Sequence, residues 1–293
     1  MSITQESSVS RAGFLKMTGA GLVSAVAVAS MGGLSAARAD EAAPLHVRVV
    51  YFSPTEGTKN AATALAEMFS TDVTPTDLTT FDARQEEVDL SDADLAIVAA
   101  PSYGGQIPRV EGLFTNLRGS DTPVVLVTAF GNRAVEDCFA QVDGILAPQG
   151  FVTVGAIGIV TPHVFSEKVG RSRPSVDDRA VMAEFVGKVT EKLAGGGAEA
   201  VALEGNPTPD PKELSVPEKQ YNADKCTKCG LCAANCPVGA IDPETLEVNE
   251  DVCISCQRCT FVCEFNGRNF DNTPMREFLD NKLRVKQPVT YVI

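Results

Sequence analysis

Positive charge is in short supply in this sequence. Twenty-five lysines and arginines face 38 aspartates and glutamates, a net charge of −13 over 293 residues. Such an acidic surface repels a phosphate backbone, which excludes nucleic acid and favours a protein partner with a basic docking patch. No G-x-G-x-x-G run is present, so the usual nicotinamide-dinucleotide loop is missing. No grouping of acidic and basic side chains marks a catalytic acid–base pair. Cysteine is absent before Cys138, which stands alone; the other eight lie between positions 226 and 263. Hydrophobic residues, at 44%, are not scarce, so wholesale disorder is excluded.

Charge is also absent from Met17 through Ala37, just after the segment Ser10-Arg11-Ala12-Gly13-Phe14-Leu15-Lys16. The uncharged stretch ends in Ala37-Arg38-Ala39, an A-x-A cleavage pattern before Asp40. Residues 1–39 resemble a twin-arginine export signal, S-R-R-x-F-L-K, with Ala12 in place of the second arginine. That resemblance implies an exported, periplasmic or extracytoplasmic protein that meets the membrane only transiently through the signal. The alternatives are a permanent anchor, since 21 uncharged residues can just span a bilayer, and a cytoplasmic protein. From Asp40 onward, 22 basic side chains face 37 acidic ones, a net of −15.

Residues 45–195 alternate strand and helix patterns. His46–Phe52, Val73–Leu78, Leu95–Ala100, Val124–Ala129 and Val152–Val160 read as strands. Asn60–Phe69, Ala134–Leu146 and Asp177–Leu193 read as helices, with apolar residues at helical spacing. Leu95–Ala100 is a continuous apolar run, as expected of a parallel strand covered on both faces. Five strands with intervening helices predict an α/β fold with a doubly wound, five-stranded parallel sheet. Residues 196–219, with Gly196, Gly197 and four prolines, read as a linker that is part flexible and part extended. A cysteine-rich domain follows over 220–268. The tail, 269–293, carries Phe278, Leu279 and Leu283 and is expected to include a short docked helix.

The cysteine region repeats one grammar. Cys226, Cys229, Cys232 and Cys236 precede Pro237 in a C-x2-C-x2-C-x3-C-P run, and Cys253, Cys256, Cys259 and Cys263 repeat the spacing before Glu264. Zinc would use two C-x2-C pairs and leave the third and fourth cysteines of each run unexplained. A disulfide framework has no reason to repeat one motif twice. The runs resemble those of bacterial ferredoxins with two [4Fe–4S] clusters, in which the fourth cysteine of each run ligates the other cluster. The resemblance assigns Cys226, Cys229, Cys232 and Cys263 to one cluster and Cys253, Cys256, Cys259 and Cys236 to the second. Glu264 replaces the usual proline, which is expected to loosen that turn and to oppose reduction of the nearby cluster.

Ligands of a doubly wound sheet bind beyond the carboxyl ends of its strands. Three loops of this chain fall there. Ser53–Thr58 offers the hydroxyls of Ser53, Thr55 and Thr58, the flexibility of Gly57 and the N–H groups of a helix start, all suited to phosphate. Pro101–Pro108 contains Ser102, Tyr103, Gly104 and Gly105, an aromatic face beside paired glycines that admit a planar ring. Phe130, Gly131, Asn132 and Arg133 follow the fourth strand. Taken singly these are a capped turn, a packed aromatic and a solvated charge. Together they resemble flavodoxin, which implies FMN with its phosphate in the first loop and its ring between the second and third. With the cysteine runs behind them, the chain is similar to ferredoxin-and-flavodoxin fusion proteins, Phe130 replacing their usual tyrosine.

Glu56 departs from the flavodoxin pattern, where a small residue stands. A carboxylate ~5 Å from a phosphate costs about 1–3 kcal/mol at effective dielectrics of about 20–60, unless Gly57 takes the left-handed conformation and Glu56 turns to solvent. His163 borders the flavin or is structural, and Cys138 is expected to be a buried small hydrophobe. The expected function is an electron-transfer iron–sulfur flavoprotein passing electrons between two [4Fe–4S] clusters and FMN. The alternative is a ferredoxin-type carrier whose flavodoxin-like domain binds no flavin and serves for docking. A third reading, reduction of an organic substrate at the flavin, names no substrate residue.

Overall fold

The computed structural model describes residues 44–212, 218–271, 273–283 and 285–293. The predicted export signal lies outside them, as do residues 213–217 of the predicted linker. Five strands form a parallel sheet: β1 (His46–Tyr51), β2 (Asp72–Asp77), β3 (Leu95–Pro101), β4 (Thr122–Phe130) and β5 (Phe151–Val160). Their spatial order is β2-β1-β3-β4-β5. This is the flavodoxin-like order, whose switch point lies between β1 and β3. Leu95 through Ala100 are all buried because both sheet faces are covered. β2, at an edge and carrying Pro75, is largely exposed.

The pleat divides the core in two. Val47, Val49 and Tyr51 of β1 join Ile97, Val125 and Ile157 on one face, beneath α1 (Gly57–Phe69) and α3 (Val176–Ala194). Val50, Ala96, Val98 and Leu126 face the other way, toward α2 (Cys138–Leu146). Each large apolar side chain buried in these layers contributes about 1.5–3 kcal/mol relative to exposure. Cys138 is fully buried in the second layer, and burial pushes its thiol pKa up to about 12.

The sequence pattern predicts no helix after the second or third strand, and the chain forms only short elements and turns there. Between β2 and β3 the chain makes a 3-10 turn at Asp82–Arg84 and a two-residue strand, Val88–Asp89, that pairs with Leu117–Arg118. Between β3 and β4 it forms turns that bury Ile107, Val110, Leu113, Phe114 and Leu117. Gly112 (φ 71°) and Phe114 (φ 63°) are left-handed there, and Pro108 lacks an N–H, so no continuous helix can form. Val238 and Ile254 from the cysteine region pack against this same core layer.

The segment predicted as a linker is pinned along its described part. Val201 N–H donates to Thr153 O (2.9 Å), Gln106 Nε2 to Asp210 O (2.8 Å) and Lys212 Nζ to Gly104 O (3.0 Å). The cysteine region comprises β6 (Glu218–Tyr221), α4 (Leu231–Ala234), α5 (Arg258–Phe261) and β7 (Arg268–Asp271), with β6 and β7 antiparallel. The expected tail helix is present as α6 (Thr273–Lys282), which buries Leu279. A strand not foreseen in the sequence, β8 (Thr290–Val292), then adds antiparallel to β5. The sheet therefore has six strands, five of them parallel.

Candidate functional site

The two cysteine runs fold into loops of the same shape. In the first, Lys228 (φ 55°) and Gly230 (φ 74°) are left-handed; in the second, Ser255 (φ 52°) and Gln257 (φ 61°) occupy the equivalent positions. Each pair of kinks bends the chain around its three cysteines, and a one-turn helix follows, α4 or α5. The two ends also match. Gly239 N–H bonds Cys236 O and Asn266 N–H bonds Cys263 O, both at 3.3 Å. Asn266 (φ 55°) takes the left-handed place of Gly239 (φ 63°), since asparagine tolerates that region. The turn after Cys263 therefore closes as the first does, contrary to the expectation that Glu264 loosens it. The Glu264 side chain is exposed to solvent.

The cysteines ring two separate spaces. Cys226, Cys229, Cys232 and Cys263 line one. Cys236, Cys253, Cys256 and Cys259 line the other. Each set takes three sulfurs from one run and the fourth from its partner. Backbone N–H groups point at sulfur: Lys228 to Cys226 (3.4 Å), Ala240 to Cys236 (3.3 Å) and Gly267 to Cys263 (3.2 Å). Such bonds favour the thiolate, the form that binds iron. Two four-cysteine spaces with N–H···S bonds fit iron–sulfur clusters, whose ligands would be these sets.

A third space, of about 380 Å³, lies at the carboxyl end of the sheet. It is lined by Ser53, Thr55, Gly57 and Thr58 from the first loop; Ser102, Tyr103 and Gly104 from the second; and Phe130, Gly131 and Arg133 from the third. Ten of the twelve residues expected around FMN thus share one cavity. Gly105 and Asn132 are placed elsewhere. Gly105 (φ 88°) lies against the Arg133 and Glu136 side chains, where a Cβ would come within 2.1 Å of Glu136 Oε2. Asn132 (φ 65°) holds the tail: its Nδ2 donates to Leu283 O (2.6 Å) and Val285 O (2.8 Å), and its Oδ1 accepts from Gln287 N (2.9 Å).

The first loop presents donors. Ser53 Oγ accepts from Lys59 N at 3.0 Å and fixes the turn. The N–H groups of Thr55, Gly57 and Thr58 have no partner within the described protein. They lie at the start of α1, where the helix dipole favours an anion. Glu56 does not line the cavity. It adopts φ 64° itself, rather than leaving that conformation to Gly57, and its carboxylate pairs with Lys59 Nζ at 3.4 Å. The charge expected to oppose phosphate is therefore turned aside, by a route the sequence did not indicate.

The other walls are specific as well. Ser102 Oγ donates to Ala134 O (3.0 Å) and accepts from Gly105 N (3.1 Å), shaping the second loop. Burial and the neighbouring Cys256 and Cys253 raise the Tyr103 phenol well above its ordinary pKa. Arg133 is occupied by Glu136 (2.7 Å), which Lys212 also bonds; these partners pull the Glu136 carboxyl down to about 2. His163 lines the cavity against Gly131, where a Cβ would meet its ring at 2.2 Å. Burial lowers its pKa to about 4. Its Nδ1 accepts from Phe165 N at 3.2 Å, which assigns the proton to Nε2.

Sequence reasoning missed two further walls. Met275, Phe278, Leu279 and Leu283 close one side from α6 and its end. Ile254, Ser255 and Cys256 close another, so Cys256 borders both this cavity and a four-cysteine space. Only the helical spacing of Leu279 and Leu283 hinted at the first; nothing local to the second run hinted at the other. Unpartnered N–H groups, apolar walls and a size suited to a cofactor fit FMN.

A family model described as a 4Fe-4S binding domain matches residues 219–242, spanning the first cysteine run. No curated protein matches the chain. Among solved structures, the chain is similar to the flavodoxin of Streptococcus pneumoniae TIGR4, with 22% identity over 50% of this chain and 98% of that one, and a TM-score of 0.35. The two-electron reduced flavodoxin of Megasphaera elsdenii is 19% identical over 50% of this chain and 98% of that one, with a TM-score of 0.32. The strand order and the 4Fe-4S match together give a flavodoxin-like α/β sheet followed by a ferredoxin-type iron–sulfur region.

Proposed function

We propose that this chain is an electron-transfer iron–sulfur flavoprotein that holds two [4Fe–4S] clusters and FMN and passes electrons between them. One observation carries the reading: Cys256 and its neighbours form a wall of the same cavity that the three sheet-edge loops line. A cluster ligand and a flavin site would then share a boundary with no solvent layer between them.

FMN, when bound, exchanges electrons singly or in pairs, whereas an iron–sulfur cluster exchanges them singly. The chain supplies positioning. Thr55, Gly57 and Thr58 would donate N–H bonds to the phosphate. Tyr103 and Phe130 would offer aromatic surface to the ring. His163, neutral at pH 7, would present its Nε2–H as a donor. Helix α6 would exclude water from the cavity. The N–H groups of Lys228, Ala240 and Gly267 would hold cysteine sulfur as thiolate. The partner is a redox protein with a basic docking patch, matching the net charge of −15 beyond Ala39. Residues 1–39 act as an export signal, and the holoprotein crosses the membrane folded. Unchanged localisation of Arg11→Lys would remove the twin-arginine route.

A second reading has its own support. Met275, Phe278, Leu279 and Leu283 project toward the cavity, so the flavodoxin-like part could serve as a closed docking module beside two clusters. Anaerobic purification, acid release of flavin, and iron and sulfide counts separate the two. FMN at about one per chain with iron near eight supports the first reading. Full iron without flavin establishes the second.

A further inference from the structure

Arg268 lies between the two four-cysteine spaces and lines both. It is 6% exposed. Its guanidinium stacks on the Tyr221 ring, 4.7 Å from the centroid, and donates to Leu246 O. Its buried Nε has no partner. None of the ion pairs among the described residues includes it. A buried guanidinium without a carboxylate is strongly unfavourable unless some other anion answers it. Cysteine sulfurs ring both of the spaces that Arg268 lines.

We propose that Arg268 is a counter-charge shared by both clusters, favouring their reduced forms together. The inference rests on the two-cluster reading above. On reduction each cluster takes one electron from an external reductant such as dithionite, gaining one negative charge with no bond made or broken. A cation buried beside both favours that added charge at each. Linked in this way, the two centres rise and fall in potential as a pair, which keeps electron exchange between them close to balanced.

The test is an anaerobic, mediator-buffered redox titration of the full chain, followed by electron paramagnetic resonance, with iron and sulfide counts on every sample. Arg268→Gln removes the charge but keeps a donor for Leu246 O; Arg268→Lys keeps the charge without the stacked plane. For Arg268→Gln both midpoints should move negative, each by at least tenfold in the reduction equilibrium, about 59 mV for a one-electron couple. Arg268→Lys should move them less. With iron intact, unshifted midpoints or a shift at one centre alone overturns the proposal. If Arg268→Gln loses a cluster while Arg268→Lys retains both, the counter-charge is supported; loss in both variants overturns it. Wild type without eight irons would instead overturn the two-cluster reading on which the proposal stands.

Discussion

Arg84 Nη2 donates to the carbonyl oxygen of Pro237, a residue 153 positions later in the chain and next to Cys236. The same guanidinium holds the carbonyls of Leu78, Thr79, Thr80 and Glu111. A buried arginine that saturates five carbonyls is a joint between the sheet and the cysteine region. Arg84→Met leaves those acceptors unanswered. Bonds to a charged donor contribute about 1.5–3 kcal/mol each, so a loss of about 3–5 kcal/mol is expected by urea denaturation. Amide exchange should accelerate first at Gly239–Ile241. Unchanged exchange there would separate Arg84 from the joint.

Glu56 occupies a left-handed position at the start of α1. A non-glycine residue there costs about 1–2 kcal/mol, and the exposed pair with Lys59 returns little of it. Glu56→Gly should therefore stabilise the protein by about 1 kcal/mol, raising Tm by about 2–4 °C at this size. Fluorescence titration with FMN should show equal or tighter binding. A lower Tm would mean that the Lys59 pair outweighs the strain.

His163 sets a pH dependence. Its folded pKa, near 4, lies below its ordinary value of 6.5 because burial disfavours the imidazolium. The unfolded chain binds the proton more readily, so stability is full above about pH 6.5 and falls as pH drops toward 4. The loss is on the order of 3 kcal/mol. Urea midpoints measured from pH 7.5 to 4.5 should show this slope, and His163→Gln should flatten it. Gly131→Ala, whose Cβ would strike the His163 ring, should displace the imidazole and destabilise the fold at every pH.

Asn132 fastens the tail through three hydrogen bonds to Leu283, Val285 and Gln287. Asn132→Ala removes all three and leaves a buried left-handed position poorly suited to alanine. Stability should drop by about 2–3 kcal/mol, and limited trypsin digestion should cut faster at Lys282 and Lys286. Equal cleavage rates would show that other contacts, such as Arg173 to Gln287 O, hold the tail without Asn132.

The sequence displayed the parts of this molecule that repeat a local rule. Leu95–Ala100 read as a doubly covered strand, and the two cysteine runs repeated one spacing. What it hid were agreements between distant residues. Val238 and Ile254, far along the chain, pack against the core layer that lies beneath the turns after β3. Strand β8 is three residues long and gains meaning only beside Gly158, Ile157 and Ala156. Arg268 looked like one charge among many, because its burial follows from β6, β7 and both cysteine loops together. Glu56 read as an obstacle since a side chain's direction is not written in its identity.

Cys256 faces two spaces at once, and this has a consequence for assembly. The loop from Cys253 to Cys259 lines a four-cysteine space and is also a wall of the sheet-edge cavity. If the proposed cofactors bind, filling the four-cysteine space would fix a wall of the flavin cavity, and loss of that cluster would weaken the second cofactor's hold as well.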